Sequence, residues 1–423
     1  MTDLPRMVRV RQRVTGPVVA DVAAEVTRGL GALDLAARVR HGDGVAITAG
    51  SRGITDVVPA LRAIAGSVRL LGAEPFVVPA MGSHGGATAE GQRRVLASYG
   101  LTEAAVGCPI RASMDVVEVG RSKLGFSLWQ DRLAAEADHV VVCNRVKPHT
   151  LFSGRYESGL VKMLMIGLGK QAGASTYHRA VMAHGWQAVV ADVAPVLLEG
   201  GKVVAGVALV ERGDKRTAEV AVLAPERWLD EEPHLLEAAR ALLPQLPFAD
   251  VDLLVLDRIG KNISGAGLDT NVVERKERLH PPTYEPHGGV RYIAVRGLTP
   301  ETAGNAIGVG LVEFARSRVL REMDVAVTRL NALTAGDVPG AMLPLDYETD
   351  REIFDAALGA IGLRPPEEAR IVWARDTSEL DEVACSVALL GEAAARDDLE
   401  VVGAPFALPF DAAGNLPDLL PAG

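Results

Sequence analysis

Short apolar runs of strand length alternate with longer amphipathic runs along almost the whole of this 423-residue chain. GDGVAITAG reads as a strand, and SRGITDVVPALRAIAGSVRLLG as the helix that follows it. EPFVVPAMGSHGG and TAEGQRRVLASYG repeat the pattern, and ADHVVVCNRVKP is a further strand rich in β-branched residues. Repeated strand–loop–helix units predict α/β architecture, with mostly parallel sheets covered by helices on both faces. KVVAGVALVERGD and RTAEVAVLAPE predict an antiparallel pair. The length exceeds one ordinary core, and Pro244 and Pro247 punctuate the chain before a second set of units at VDLLVLDRIG. The expected domains are therefore 1–246 and 247–423, with an active-site cleft between them that hinge closure can shield from water. The segment after Val402, rich in Pro, Gly and Ala, is expected to be irregular.

A net charge of −10 without a compensating basic stretch argues against a nucleic-acid partner. Cys108, Cys143 and Cys385 form no CxxC pair and predict no disulfide framework, as in a reducing cytoplasm. No run has the length of an uncharged membrane span, and the charged start is unlike a signal peptide. The expected location is cytoplasmic, with no membrane partner. Walker A, HExxH and GxSxG motifs are all missing, and GLGKQAG lacks the glycine spacing of a dinucleotide fingerprint.

Four loops follow strand runs, where parallel sheets gather ligands. In AGSRGITD, Ser51, Arg52 and Gly53 offer an anion site, or Ser51 and Thr55 simply cap the next helix. In MGSHGGAT, His84 stands among glycines that let a ligand approach; it is a proton-transfer candidate or a capping histidine. In NRVKPHTLFSGR, His149 is a second such candidate or a surface residue. In DRIGKNISG, Arg258 and Lys261 can clamp a carboxylate or remain surface charge.

Between the third loop and His178 lies the most informative stretch, SGLVKMLMIGLGKQAGASTYH. Lys162 stands among Leu160, Val161, Met163 and Leu164, where an ammonium pays desolvation unless it is paired, bound or chemically changed. Buried lysines are recruited for covalent work, whereas lysines on amphipathic helices reach to water. Lys170 reads as the exposed kind. His178 can ligate a metal or sit on a helix face.

PAMGSHGGATAEGQ, VKPHTLFSGRYESGLVKMLMIGLGKQAGASTYH, LDRIGKNISG and GVGLVEFARSRVL with NALTAG and DYETDREIFDAAL together resemble the lactate racemase family. Its members are nickel-pincer-nucleotide-dependent isomerases, and the resemblance spans nearly the whole chain. It implies that Lys162 carries the nucleotide through a thioamide, a neutral linkage suited to an apolar setting. Nickel would then be bound by two sulfurs and a ring carbon of that group, with His178 as fourth ligand. His84 and His149 become the acid/base pair, Lys261 and Arg258 hold substrate, and Ser51, Arg52 and Gly53 meet cofactor or substrate. The implied activity is racemisation or epimerisation of a 2-hydroxy acid by reversible hydride transfer to the tethered nucleotide. Cofactor-biosynthesis enzymes are the implied protein partners.

The sequence departs from the family's lactate racemase in carrying Gly85-Gly86 where that enzyme has Arg-Pro, and in a longer gap from His149 to Lys162. The expected substrate is accordingly a 2-hydroxy acid other than lactate, larger or polyhydroxylated. Two rivals remain: a nicotinamide-dependent oxidoreductase, which the missing fingerprint disfavours, and a non-catalytic binding protein for an acidic metabolite or nucleotide. Only the last would keep its ligand after Lys162→Ala.

Overall fold

The protein is described by a computed structural model covering residues 4–51, 53–200, 202–276 and 289–420. It divides into two compact units, Gly16–Leu243 and Met1–Thr15 joined to Pro244–Gly423. The second boundary lies close to the one expected from Pro244. The first was not expected: β1 (Met7–Gln12) belongs with the C-terminal unit, so a 1–246 domain is corrected to 16–243.

The Gly16–Leu243 unit contains β2 (Gly44–Ala49), β3 (Glu74–Pro79), the hairpin β4 (Val116–Arg121) and β5 (Ser127–Asp131), β6 (His139–Arg145), β7 (Val203–Glu211) and β8 (Thr217–Leu223). Five of these strands form one sheet in the order β3-β2-β6-β7-β8, parallel except for β8. The β2, β3 and β7 sequences are largely apolar runs because both faces are covered. Ile47, Val141 and Leu209 point into one cluster with Leu61 and Ile64 of the Val57–Leu70 helix. Their neighbours Ala46, Val142 and Ala208 point into the opposite cluster with Leu160, Leu164 and Trp228. The segment containing Lys162 is thereby packed onto the second face.

The other unit continues with β9 (Asp250–Leu256), β10 (Gly289–Val295), β11 (Phe314–Arg316), β12 (Leu345–Tyr347), β13 (Ile371–Ala374), β14 (Glu382–Ser386) and β15 (Leu399–Phe406). Its eight-stranded sheet has the order β12-β11-β10-β9-β13-β14-β1-β15. The first five strands are parallel, and the pairings from β13 to β15 are antiparallel. Val8 and Val10 of β1 enter one core cluster while Met7 enters the other. β15 runs through Val402, so the expected irregular tail starts only after Phe406. The Asp350–Gly359 helix opens with a capping box between Thr349 and Glu352. No helix among the described residues is long and apolar enough to cross a membrane.

Candidate functional site

β3, β2 and β6 are neighbours in one parallel sheet, so the loops after them emerge side by side at its carboxyl edge. Ser51, His84 and His149 stand on these three loops. The loop after β3 keeps its shape through backbone conformations that favour glycine: Gly82, Gly85 and Gly86 have φ of 59°, 66° and 65°. At Gly85 a Cβ would also lie 2.6 Å from the backbone of Gly91 and Gln92. Thr88, not His84, caps the Ala89–Ser98 helix, accepting from Gly91 N at 3.0 Å. His84 turns its Nδ1 to the hydroxyl of Ser51 instead.

That contact corrects the capping expectation for the first loop. Ser51 faces His84, Thr55 bonds Glu211 and the carbonyl of Lys215, and the Val57–Leu70 helix has no side-chain cap. Gly53 is exposed, with its carbonyl accepting from Arg145 at 3.3 Å. Arg52 lies outside the described residues.

The loop after β6 is closed by a bridge between Lys147 and Ser158. Inside it the buried Glu157 carboxylate accepts the amides of His149 at 2.5 Å and Gly154 at 3.1 Å, and pairs with Arg240 at 2.6 Å. The ring of His149 stacks on Phe152 with centroids 3.9 Å apart and planes 15° apart. Phe152 in turn packs against Trp186 at 4.9 Å. Leu151 N donates to His149 Nδ1 at 3.1 Å, which places the proton of the neutral ring on Nε2. Lys162 Nζ lies 5.9 Å from the Phe152 centroid, so Phe152 brings His149 and Lys162 together.

Lys162 ends the short Leu160–Lys162 helix and a π-helical turn, Met163–Gly167, follows directly. Such turns recur at functional sites. The segment is fastened at its head. Asn144 Nδ2 donates to Gly159 O at 2.8 Å, and Glu232 Oε2 accepts from Val161 N at 3.0 Å. A Cβ at 159 would sit 2.5 Å from the Glu232 carboxyl and displace it from the Val161 amide. Glu232 is fully buried, and burial pushes its carboxyl up to about 7 against the Val161 and Leu160 amides. Glu232, Glu157 and Phe152 had no sequence signal, since each acts through a neighbour that the fold alone supplies.

The two lysines exchange the surroundings expected of them. Lys162 is half-buried, and Lys170, expected to be exposed, has no exposed surface. His178 is half-buried on the Lys170–His184 helix. Among the described residues no group of three or more His, Cys, Asp or Glu side chains is arranged to hold a metal ion.

In the C-terminal unit, Lys261 Nζ donates to Asn331 at 2.8 Å. Arg258 is committed to two carboxylates, Asp376 at 3.0 Å and Glu379 at 3.2 Å, which favours a structural role over the expected substrate clamp. At the carboxyl end of β9 and β10, Arg296 bridges Asp257 at 2.5 Å and Asp350 at 2.9 Å, all three buried. Leu416 O and Leu420 N join this network, so the C-terminal segment fills that edge.

Residues 52–190 match the family model of the lactate racemase N-terminal domain. The matched span lies within the Gly16–Leu243 unit and contains His84, His149, Lys162 and His178. The lactate racemase apoprotein from Thermoanaerobacterium thermosaccharolyticum has a similar fold over both units, with a TM-score of 0.51 and 14% identity. The match covers 88% of this chain and 99% of that one. No curated protein sequence matches the chain. The lactate racemase fold and its mostly parallel sheets agree with the α/β architecture expected from the sequence.

Proposed function

We propose that the protein is a racemase or epimerase of a 2-hydroxy acid that works with a nickel-pincer nucleotide on Lys162. The observation that supports this reading is that Ser51–His84 and His149–Phe152–Lys162 follow neighbouring strands of one parallel sheet, in the unit that matches the lactate racemase N-terminal domain model. Lys162 would hold the nucleotide covalently and His178 would supply its one protein ligand to nickel. When bound, that group supplies an electrophilic ring carbon able to take the Cα hydrogen of the substrate with its electron pair. The chain's own residues manage the proton. A histidine that accepts the hydroxyl proton makes loss of the Cα hydrogen easier, and a second histidine returns a proton on the other face. Since Ser51 engages Nδ1 of His84, exchange with substrate would run through Nε2. His149 is held by its stack on Phe152 and by the hydrogen bond its backbone amide donates to Glu157, so its ring is placed before substrate arrives. Lys261 would bind the substrate carboxylate.

The test is peptide mass spectrometry and nickel analysis of protein coexpressed with the pincer-nucleotide biosynthesis enzymes, followed by chiral analysis of 2-hydroxy acids. A nucleotide-sized adduct on the Lys162 peptide with bound nickel is expected. An unmodified lysine under conditions that load a control racemase would overturn the mechanism and favour a binding protein.

A further inference from the structure

Lys170 has no part in the chemistry above, yet it is among the most thoroughly buried side chains of the chain. It opens its helix at φ 53°, a left-handed conformation that costs on the order of 1 kcal/mol outside glycine. Its ammonium meets Asp131 Oδ2 at 2.9 Å, with no exposed surface on either side chain. It also donates to Pro79 O at 2.5 Å and to Gln92 Oε1 at 3.1 Å. Burial draws its pKa below the usual lysine value and Asp131 opposes that.

An ammonium has hydrogens to give and no lone pair, so Gln92 must turn its oxygen toward Lys170. The Gln92 amide nitrogen then faces the other way. It donates to the carbonyls of Gly82 at 3.0 Å and His84 at 3.3 Å. Asp131 is fixed likewise, because its Oδ1 accepts from Ala134 N at 2.9 Å. The hydrogen bonds therefore run in one direction from a buried charge to the glycine-rich loop.

We infer that Asp131, Lys170 and Gln92 form a polarised internal strut that positions the His84 loop, with Lys170 a positioning residue acting through Gln92. The inference rests on the proton-transfer role proposed for His84. An apolar residue at 170 would fill the space and leave the buried Gln92 oxygen without the Lys170 donor that anchors it. An isolated ion pair is weak evidence for stability when buried, and setting orientation is its better-attested use.

The test uses Gln92→Met, which keeps the Asp131–Lys170 pair, and the double variant Lys170→Met/Asp131→Leu, which removes both charges. The first readout is nuclear magnetic resonance of the apoprotein labelled at histidine, with His84→Gln for assignment, together with amide exchange over 82–88. In both variants the His84 ring signal is expected to move, the His149 signal to stay, and loop exchange to quicken about tenfold. In loaded protein, kcat for racemisation should fall about tenfold with KM and the Lys162 adduct unchanged. An unmoved His84 signal and unchanged loop exchange in Gln92→Met would overturn the strut. If wild-type protein takes no adduct, the racemase reading fails while the histidine spectra still decide the strut.

Discussion

Glu232 Oε2 accepts the amide hydrogen of Val161 at 3.0 Å, one residue before Lys162, from a carboxyl that burial pushes from 4.5 up to about 7. A carboxyl raised in the folded state holds its proton more tightly there than in the unfolded chain. The contribution of Glu232 to stability is then greatest below about pH 4.5 and declines as pH rises to about 7, by on the order of 3 kcal/mol. Glu232→Gln, which mimics the protonated form, should melt higher than wild type at pH 8 and level with it at pH 5. An equal displacement at both values in thermal scans would contradict this account.

Lys162→Arg keeps a cation beside Phe152 but cannot form the proposed linkage. Its peptide should remain unmodified after coexpression, nickel should be lost, and the melting temperature should stay within about 3 °C of wild type, as for a surface change.

His84→Gln and His149→Gln should each lower kcat by about 10²- to 10⁴-fold, the range of lost general acid–base catalysis. The Lys162 adduct should persist in both. Loss of the adduct instead would assign the histidine to cofactor binding.

Glu157→Ala removes a charged acceptor from two loop amides and from Arg240. Such bonds contribute about 1.5–3 kcal/mol each when charged. Faster proteolysis within 148–157 and a lower melting temperature are expected, with the isolated His149 effect on kcat reproduced in part.

Arg258 and Lys261 should separate cleanly. Arg258→Ala strips a partner from the buried Asp376 and should cost about 2 kcal/mol in chemical denaturation, with KM unchanged. Lys261→Ala should leave stability near wild type and raise KM about tenfold, roughly one lost charged contact.

β2, β3, β6, β7 and β9 were readable because burial on both faces leaves continuous apolar runs. β1 escaped because MVRVRQ alternates valine with arginine and looks like a charged start; its valines face a core while Arg9 and Arg11 pair with Glu382. β15 lies at the sheet edge, and Gly403 and Pro405 interrupt its apolar residues, so its sequence reads as a loop. The candidate histidines were legible from their loops and glycines. The contrast between Lys162 and Lys170 was not, for a physical reason. In a regular helix, residues eight apart would stand in a fixed phase, about 80° apart around the axis. The π turn at Met163–Gly167 and the left-handed backbone at Lys170 break that phase, and neither has a composition of its own. Asp131 and Gln92, the partners that make a buried Lys170 tolerable, lie far from it in sequence.

The placement of β1 between β14 and β15 also dictates an order of assembly. β1 leaves the ribosome before the Gly16–Leu243 unit, and both of its neighbours leave after it. The Gly16–Leu243 unit is complete in sequence long before then and can fold during synthesis. Until then β1 has neither of its sheet partners. Its alternating arginines serve it there, since charge on a waiting strand discourages pairing with other nascent chains.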